Sequence, residues 1–428
     1  MNRSTYTRLA GKGIKKIMKL RGGGSALPGL VVEKIDPSFL SRTLSDLPYG
    51  IAIVTGTNGK TTTTKMVTQL LRAHGLKVFT NPSGSNFTRG IVASLIDKVD
   101  TNGKLDADVA VLELDEAHAV HFVKQVQPQF TLVLNILRDQ LDRFGEIDYT
   151  AGLLRKVVDA TQVGVVLNRE DDLVSDLSPR HSDVQVRYFG LGEKVLNLFP
   201  SDAEMHNSKA MKYTSKPPIS DSDVILHSFE GRSATFALGE KLQTAVNLKI
   251  DGAYNVLNAA GALALARLVV GADTKQSQTL LKELEEVRPA FGRGEAITID
   301  GDPLEIVLVK NPSGFRLALH SYANSPAETM IAINDNYADG RDMSWLWDVP
   351  FDSLSPGIAM VSGTRAYDMA LRLQYDLVDV SQVTLGLPEA IREFIKRTGG
   401  KRRIYCTYTA MLAIRRELAK THTLEPIE

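Results

Sequence analysis

Ile51-Ala52-Ile53-Val54-Thr55-Gly56-Thr57-Asn58-Gly59-Lys60-Thr61-Thr62, continuing through Thr63 to His74, is the stretch from which the fold can be read. The apolar, mostly β-branched run from Ile51 to Thr55 reads as a buried strand, and it ends in a turn with two glycines. Beyond the turn, Met66, Val67, Leu70 and Leu71 recur at helical spacing, so residues 61–74 read as a helix with one apolar face. A glycine-rich turn between strand and helix lets backbone N–H groups approach phosphate oxygens with no Cβ in the way. The helix N-terminus adds partial positive charge. In such a loop Gly56, Thr57, Asn58, Gly59 and Thr62 line the cradle, Lys60 reaches the β- and γ-phosphates, and the Thr61 hydroxyl sits on Mg²⁺. The full phosphate loop would place glycine where Val54 stands, so only its short Gly-x-x-Gly-Lys-Thr core is present. A plain glycine turn with an exposed lysine is the alternative, but it gives no reason for the strand before and the helix after. Nucleoside triphosphate binding is the expectation.

Outward from this stretch, apolar runs at 77–80, 109–114, 131–135 and 163–168 alternate with helical stretches at 91–97 and 117–125. That rhythm belongs to an α/β fold with a mostly parallel sheet. Residues 255–269 read as a further helix, 235–248 as a hairpin, and about 196–224, polar and rich in Pro and Ser, as a surface excursion. A second α/β block begins near 288–294. The 428 residues are enough for two to four domains. Fifty Lys+Arg balance fifty Asp+Glu, which excludes a dominantly basic nucleic-acid binder.

Cys406 is the single cysteine, so no intrachain disulfide and no Cys-pair zinc site can form, and a reducing, cytoplasmic setting is expected. No run reads as the ~18–20 apolar residues of a membrane span, and residues 1–20 lack the apolar core of a signal peptide. They do interleave Arg3, Arg8, Lys12, Lys15, Lys16 and Lys19 with Leu9, Ile14, Ile17, Met18 and Leu20. Such a basic amphipathic helix can lie on an anionic membrane surface or pack its apolar side on the protein.

Two polar clusters follow strands. Glu113 ends the run 109–114, with Asp115 and Glu116 behind it. Carboxylates at the strand C-ends of a doubly wound sheet face the nucleotide crevice, where a hard cation takes oxygen ligands, so Glu113 is the metal candidate. Asp115 and Glu116 either join it or are surface charge. His118 and His121, with no third partner, read as helix-surface residues. Asn135, Arg138, Asp139, Gln140, Asp142 and Arg143 crowd behind another apolar strand, the usual lining of a cleft.

Taken in order, GTNGKTT (56–62), Glu113, NILRDQLDRFG (135–145), LNREDD (167–172), DGAYNVLNAAGALA (251–264) and FGRGE (291–295) resemble the Mur ligase superfamily, which includes folylpolyglutamate synthase. The likeness covers roughly 45–320. It implies formation of an acyl phosphate from a carboxylate and ATP, followed by attack of an amine. More narrowly, NPSGSNFTRG (81–90), VLVKNPSGF (307–315), INDNYADGRDMSWLWD (333–348) and VSGTRAYDMALRL (361–373) look like the MurT family over essentially the whole chain.

That resemblance implies three parts: a basic N-terminal segment at 1–45, a Mur ligase-like ATP-binding central domain at 46–287, and a C-terminal α/β domain at 288–428 that contacts a glutaminase partner. The implied reaction is amidation of the α-carboxyl of D-glutamate in the lipid II stem peptide to D-isoglutamine. It would use ATP, Mg²⁺ and ammonia from a separate GatD-like glutamine amidotransferase subunit. Thr61 and Glu113 match metal ligands. Asn258 matches an adenine-contacting asparagine, or else satisfies backbone at a helix start. Arg293 matches an arginine that meets phosphate from the far side of the cleft, or else is a solvated charge. An aspartate of 333–348, Asp342 first and Asp348 next, would complete the partner's cysteine–histidine site; the alternative is a turn of solvated acids. Trp345 and Trp347 suit an interface anchor or an ordinary core.

Two departures from the amino-acid-adding Mur ligases favour amidation. Asp139-Gln140-Leu141-Asp142-Arg143 stands where those enzymes have D-H-x-D-R, so a metal-associated histidine is missing, and Val307 to Pro312 replaces a D-x-A-H-N-P element, whose acid and histidine are gone and with them the usual nucleotide contacts. The four-cysteine zinc ribbon of many MurT relatives is replaced by the excursion at 196–224, and no zinc is expected. The competing possibilities are a stand-alone ligase adding an amino acid and a nucleotide-binding scaffold without catalysis.

Overall fold

The computed structural model describes residues 11, 27–82, 86–137, 147–199, 216–239, 241–242, 245–250, 252–287, 293–323, 325–396, 400–422 and 424. The basic segment before residue 27 (Gly11 apart), the cluster 138–146 and the middle of the polar excursion lie outside them.

Ile51–Thr55 (β1) is buried throughout and lies inside a ten-stranded sheet. Val78–Thr80 (β2), Val109–Glu113 (β3), Phe130–Val133 (β4), Gly164–Asn168 (β5), Gln185–Leu191 (β6) and Val224–Glu230 (β7) run parallel with it. Ser233–Leu238 (β8), Lys241–Leu242 (β9) and Val246–Asn247 (β10) add an antiparallel edge, which places the expected hairpin. The order is β10-β8-β7-β6-β5-β4-β1-β3-β2. The chain adds β3 on one side of β1 and β4 on the other, so the C-terminal end of β1 opens onto a topological switch point, where ligands of such sheets bind.

β1 explains why the sheet is covered on both faces. Ala52 and Val54 point into a core with Val109, Val111 and the Met66, Val67, Leu70 and Leu71 face of helix Lys60–Ala73. Ile51 and Ile53 point into the opposite core with Ala110, Leu112 and helices Thr88–Lys98 and Glu116–Val123. Alternate residues serving opposite faces give a strand that is apolar along its whole length.

Helix Ala253–Val270 packs against β4 to β7 and helix Lys60–Ala73. Its 18 residues reach a mean hydropathy of 1.4, so by length and composition it could cross a membrane. This corrects the expectation that no run is long enough. With 83% of that window buried, it is the central helix of the core, and Gly261 lets the Phe189 ring lie against its backbone.

A second sheet begins at Arg293–Ile299 (β11) and Asp302–Leu308 (β12), an antiparallel pair. Glu328–Ala332 (β13), Gly357–Ile358 (β14), Met360–Ser362 (β15), Asp379–Val380 (β16), Val383–Thr384 (β17) and Arg402–Cys406 (β18) follow. Its order is β11-β12-β18-β13-β15-β17, parallel from β12 onward, with β14 and β16 paired apart. Helices Pro312–Tyr322, Ala366–Tyr375, Leu387–Lys396 and Tyr408–Leu418 cover it. The tryptophans divide: Trp345 is buried against Phe315, and Trp347 faces out.

Candidate active site

The loop after β1 is shaped by its glycines. Gly56 has φ 124°, and a Cβ there would come within 2.9 Å of the Asn135 backbone. Gly59, at φ 88° just before helix Lys60–Ala73, would bring a Cβ to 2.5 Å from the Asn258 amide nitrogen. Only glycine permits both the backbone and the close approach. Asn135 clamps the loop by accepting from the Asn58 N–H at 2.8 Å and donating to the Asn58 carbonyl at 3.0 Å. The Leu137 N–H donates to the Thr57 hydroxyl at 3.1 Å. The turn that presents Asn135 is held in turn by Asp171, which accepts from the Ile136 N–H at 2.7 Å and caps its own short helix at Val174. Burial pushes the Asp171 carboxyl up to about 6, against those two backbone bonds.

Lys60 is buried, not an exposed turn lysine. Its ammonium donates to the Gly56 carbonyl at 2.5 Å and the Thr57 carbonyl at 3.3 Å, and lies 3.3 Å from the Glu116 carboxylate. Asp115 and Glu116 are also buried, which settles against surface charge for both; Glu116 is the counter-ion of the loop lysine. The Thr61 hydroxyl donates to Glu113 at 2.9 Å. Asn81 fixes the Glu113 backbone through two bonds of 3.0 Å. A hydroxyl and a carboxylate side by side beside a phosphate loop are hard oxygen donors of the kind Mg²⁺ takes, and that ion needs few protein ligands. Among the described residues no group of three or more His, Cys, Asp or Glu is arranged to hold a metal. The His118 ring instead lies tilted against those of Phe87 and His121, at centroid distances of 5.7 and 6.4 Å.

Between the two sheets lies a cleft of 160 Å³. Asn58, Gly59, Asn135, Tyr254, Asn255 and Asn258 line one wall, and Leu308, Lys310, Leu317, Ala318 and Tyr322 the other. Asn258 is buried on helix Ala253–Val270, its side chain against Gly59. Arg293 opens β11 opposite Val307 of the far wall; its side chain is outside the described set. A hollow of 450 Å³ at the β2 edge, between Arg72, Lys77 and Asp106, is larger but shares no residue with the loop.

Sequence reasoning missed contacts that cross the cleft. Lys310 donates to the Thr57 carbonyl at 3.1 Å. Asn58 and Asn311 exchange side-chain amide hydrogen bonds of 3.3 and 3.2 Å. Asn311 also caps helix Pro312–Tyr322 by accepting from the Gly314 N–H at 2.7 Å. The segment read as having lost the usual nucleotide contacts bonds the glycine loop itself. The signal that could have found it is Asn311-Pro312, a cap followed by proline at the first helical position.

The acids of 333–348 sort by environment. Asp335 accepts from the Thr364 hydroxyl and the Arg365 guanidinium, which hold its carboxyl below the usual range. Asp339 is buried, which pushes its carboxyl up, and it accepts from Thr409. Asp342 is half-exposed, and hydrogen bonds from the Ser344 side chain and from the Ser344 N–H, the latter at 2.9 Å, lower its carboxyl. Asp348 is exposed, its carbonyl accepting from Arg316. Neither Asp342 nor Asp348 lines the cleft.

A parallel sheet with a phosphate loop after its first strand, faced across a cleft by a second α/β sheet, is the architecture of the Mur ligases. MurF from Acinetobacter baumannii superposes with a TM-score of 0.68 at 19% identity, over 91% of this chain and 80% of that one. MurF from Thermotoga maritima, solved in complex with ADP, gives 0.65 at 16%, over 92% and 83%. Residues 54–266 match the Mur ligase middle domain and 308–411 the MurT ligase C-terminal domain. The lipid II isoglutaminyl synthase (glutamine-hydrolyzing) subunit MurT of Streptococcus pneumoniae strain R6 is 30% identical, with 97% of each chain covered. The chain belongs to the MurT family and is an enzyme of the ligase class.

Proposed function

We propose that this chain is the ATP-dependent synthetase subunit that amidates the α-carboxyl of D-glutamate in the lipid II stem peptide, giving D-isoglutamine. The observation that carries the reading is the grouping of buried Lys60 and of the Thr61–Glu113 pair at the glycine loop, on a cleft bridged by Lys310 and Asn311. A substrate carboxylate oxygen attacks the γ-phosphorus of ATP, and the bond to ADP breaks. Ammonia then attacks the acyl carbon, and phosphate leaves carrying the proton that the nitrogen loses. Residues 56–62 cradle the phosphates, with Lys60 offsetting charge on the transferred phosphoryl. Asn258 contacts the base, and Arg293 meets phosphate from the C-terminal side. Thr61 and Glu113 would hold Mg²⁺, which when bound draws charge from the phosphate oxygens. A cleft shut between two sheets keeps water from the acyl phosphate.

Ammonia comes from a separate GatD-like subunit. Cys406, the only thiol, is buried in β18 and burial pushes it further from the thiolate, so it is no glutaminase nucleophile. On this reading the chain divides at 287/288, Asp342 completes the partner's site with Asp348 as the alternative, and the enzyme works in the cytoplasm at the inner face of the membrane that holds lipid II. The basic N-terminus would contact that surface.

Mass spectrometry of lipid II incubated with ATP, Mg²⁺ and ammonium tests the proposal. Wild type should lower the mass by about one unit as carboxyl becomes amide, and Lys60→Ala should not. Gain of an amino-acid residue's mass would replace it with a stand-alone ligase, and no product even with the glutaminase subunit added would leave a scaffold.

A further inference from the structure

We propose that Asp171 is a positioning residue for nucleotide binding: it sets the turn that carries Asn135, and through Asn135 the shape of the phosphate loop. This deepens the reading above and rests on residues 56–62 cradling the phosphates of ATP.

The motif LNREDD (167–172) has no task in the reaction as written, yet it stands directly behind the clamp on the loop. Asn168, buried at the end of β5, donates to the Leu134 carbonyl at 2.8 Å, and Asp171 accepts from the Ile136 N–H at 2.7 Å. Both chain neighbours of Asn135 are thus held from the β5 side, and Asn135 is left to serve the loop. Its side chain accepts from the Asn58 N–H and donates to the Asn58 carbonyl, while its own carbonyl accepts from the Thr57 N–H at 3.0 Å. Three bonds at two consecutive residues fix where Thr57 and Asn58 lie, and Lys60 and Thr61 follow within three residues. A shift of about an ångström in the turn therefore moves the cradle with it.

Asp171 does two jobs with two oxygens. Oδ2 takes the Ile136 N–H, and Oδ1 caps the short helix Asp172–Ser175 by accepting from the Val174 N–H at 3.2 Å. A cap alone needs one oxygen, and a serine hydroxyl provides it as well. The second oxygen is the part of this side chain that capping leaves unexplained. Burial also pushes the carboxyl up to about 6, so an acid is kept where its charge is disfavoured.

The support behind Asp171 is itself anchored. The Arg169 N–H donates to the Phe189 carbonyl at 2.9 Å, and the Arg169 guanidinium to the Pro217 carbonyl at 2.7 Å. Glu170 accepts from the Leu191 N–H at 2.9 Å and pairs with Lys216. A loop tied to β6 on one side and to residues 216–217 on the other gives Asp171 the fixed base that a positioning group requires.

Asp171→Ser, in the full chain, separates the two jobs, because it keeps an oxygen for the Val174 N–H and has none for Ile136. Calorimetric titration with Mg²⁺ and a non-hydrolysable ATP analogue should show binding about tenfold weaker at unchanged stoichiometry, with the melting temperature close to wild type. Lost fold alone would lower the stoichiometry and leave Kd in place. Asp171→Asn, which still offers an oxygen to the Ile136 N–H, should bind within about threefold of wild type. Asn135→Ala should weaken binding as well, and Asp171→Ser added to it should bring no further loss, because the two act in series. Affinity within about twofold of wild type in Asp171→Ser overturns the proposal, and so do losses that add in the double variant or a loss in Asp171→Asn as large as in Asp171→Ser. Amide exchange without nucleotide is the second measurement. Residues 56–60 and 134–137 should exchange faster in Asp171→Ser while β12 and β13 keep their rates, and unchanged exchange in both segments also overturns the proposal. A wild type that binds no analogue sinks the nucleotide reading instead, and the exchange rates still report on Asp171.

Discussion

Lys60 and Lys310 donate to one carbonyl oxygen, that of Thr57, from opposite walls of the cleft, at 3.3 and 3.1 Å. Glu116 balances Lys60. Two ammonium groups converging on one acceptor repel each other, and a polyphosphate placed between the walls turns that repulsion into attraction for both. Lys310→Met should therefore weaken binding of a fluorescent ATP analogue about tenfold, with Lys310→Arg recovering part of the loss. The folded melting temperature should move little. Unchanged affinity in Lys310→Met would assign Lys310 to domain contact alone.

The Thr61–Glu113 bond makes a different prediction. Glu113→Gln keeps an oxygen that can accept from the Thr61 hydroxyl, so the loop should stay folded, but it removes the charge a divalent ion needs. Titrating Mg²⁺ against ADP release should show the half-saturating concentration rise about tenfold or more, with kcat down by ~10²–10³. An unaltered Mg²⁺ dependence would move the ion away from Glu113.

How far the sequence disclosed this site depended on the range of each signal. β1, the glycine turn and the helix behind it are written in consecutive residues, and Glu113 is marked by its place at a strand end. Glu116 was left between metal site and surface because its partner Lys60 is 56 residues away. Lys310 and Asn311 meet the loop across 253 residues, and no local pattern encodes that contact. Helix Ala253–Val270 was legible as a helix but not as a membrane-length one, because Asn255, Asn258 and Arg267 interrupt its apolar run. Trp345 and Trp347, two apart on a 3₁₀ turn, separate into core and surface, a choice set by the turn's direction and invisible in composition.

Asp171 gives the chain a pH signature. Its carboxyl, near 4 when unfolded, titrates at about 6 in the folded protein because burial penalises the charge. A raised acid favours the folded state when protonated, so its contribution is fully present below about pH 4 and is lost as pH rises through 6. Asp171→Asn keeps an acceptor for the Ile136 N–H and carries no charge. In urea unfolding, the stability of Asp171→Asn minus that of wild type should rise by about 1–3 kcal/mol between pH 4 and pH 7.5. A difference that does not vary with pH would mean that Asp171 keeps its ordinary titration.

The acids of 333–348 allow the glutaminase link to be tested residue by residue. Asp335 is tied to Thr364 and Arg365, and Asp339 is buried on Thr409, so each serves its own domain. Losing either should lower the melting temperature and depress both ammonium-driven and glutamine-driven turnover together. Asp342 accepts from Ser344 of its own turn and is half-exposed, so its carboxylate can orient a histidine brought by another chain. Asp342→Asn should leave folding and ammonium-driven amidation at wild-type level while glutamine-driven amidation falls by ~10³–10⁴, the loss typical when the orienting acid of such a triad is neutralised. If Asp348→Asn shows that split and Asp342→Asn does not, the role moves to Asp348. If neither shows it, the partner's histidine is oriented within its own subunit, and this segment contributes contact without chemistry.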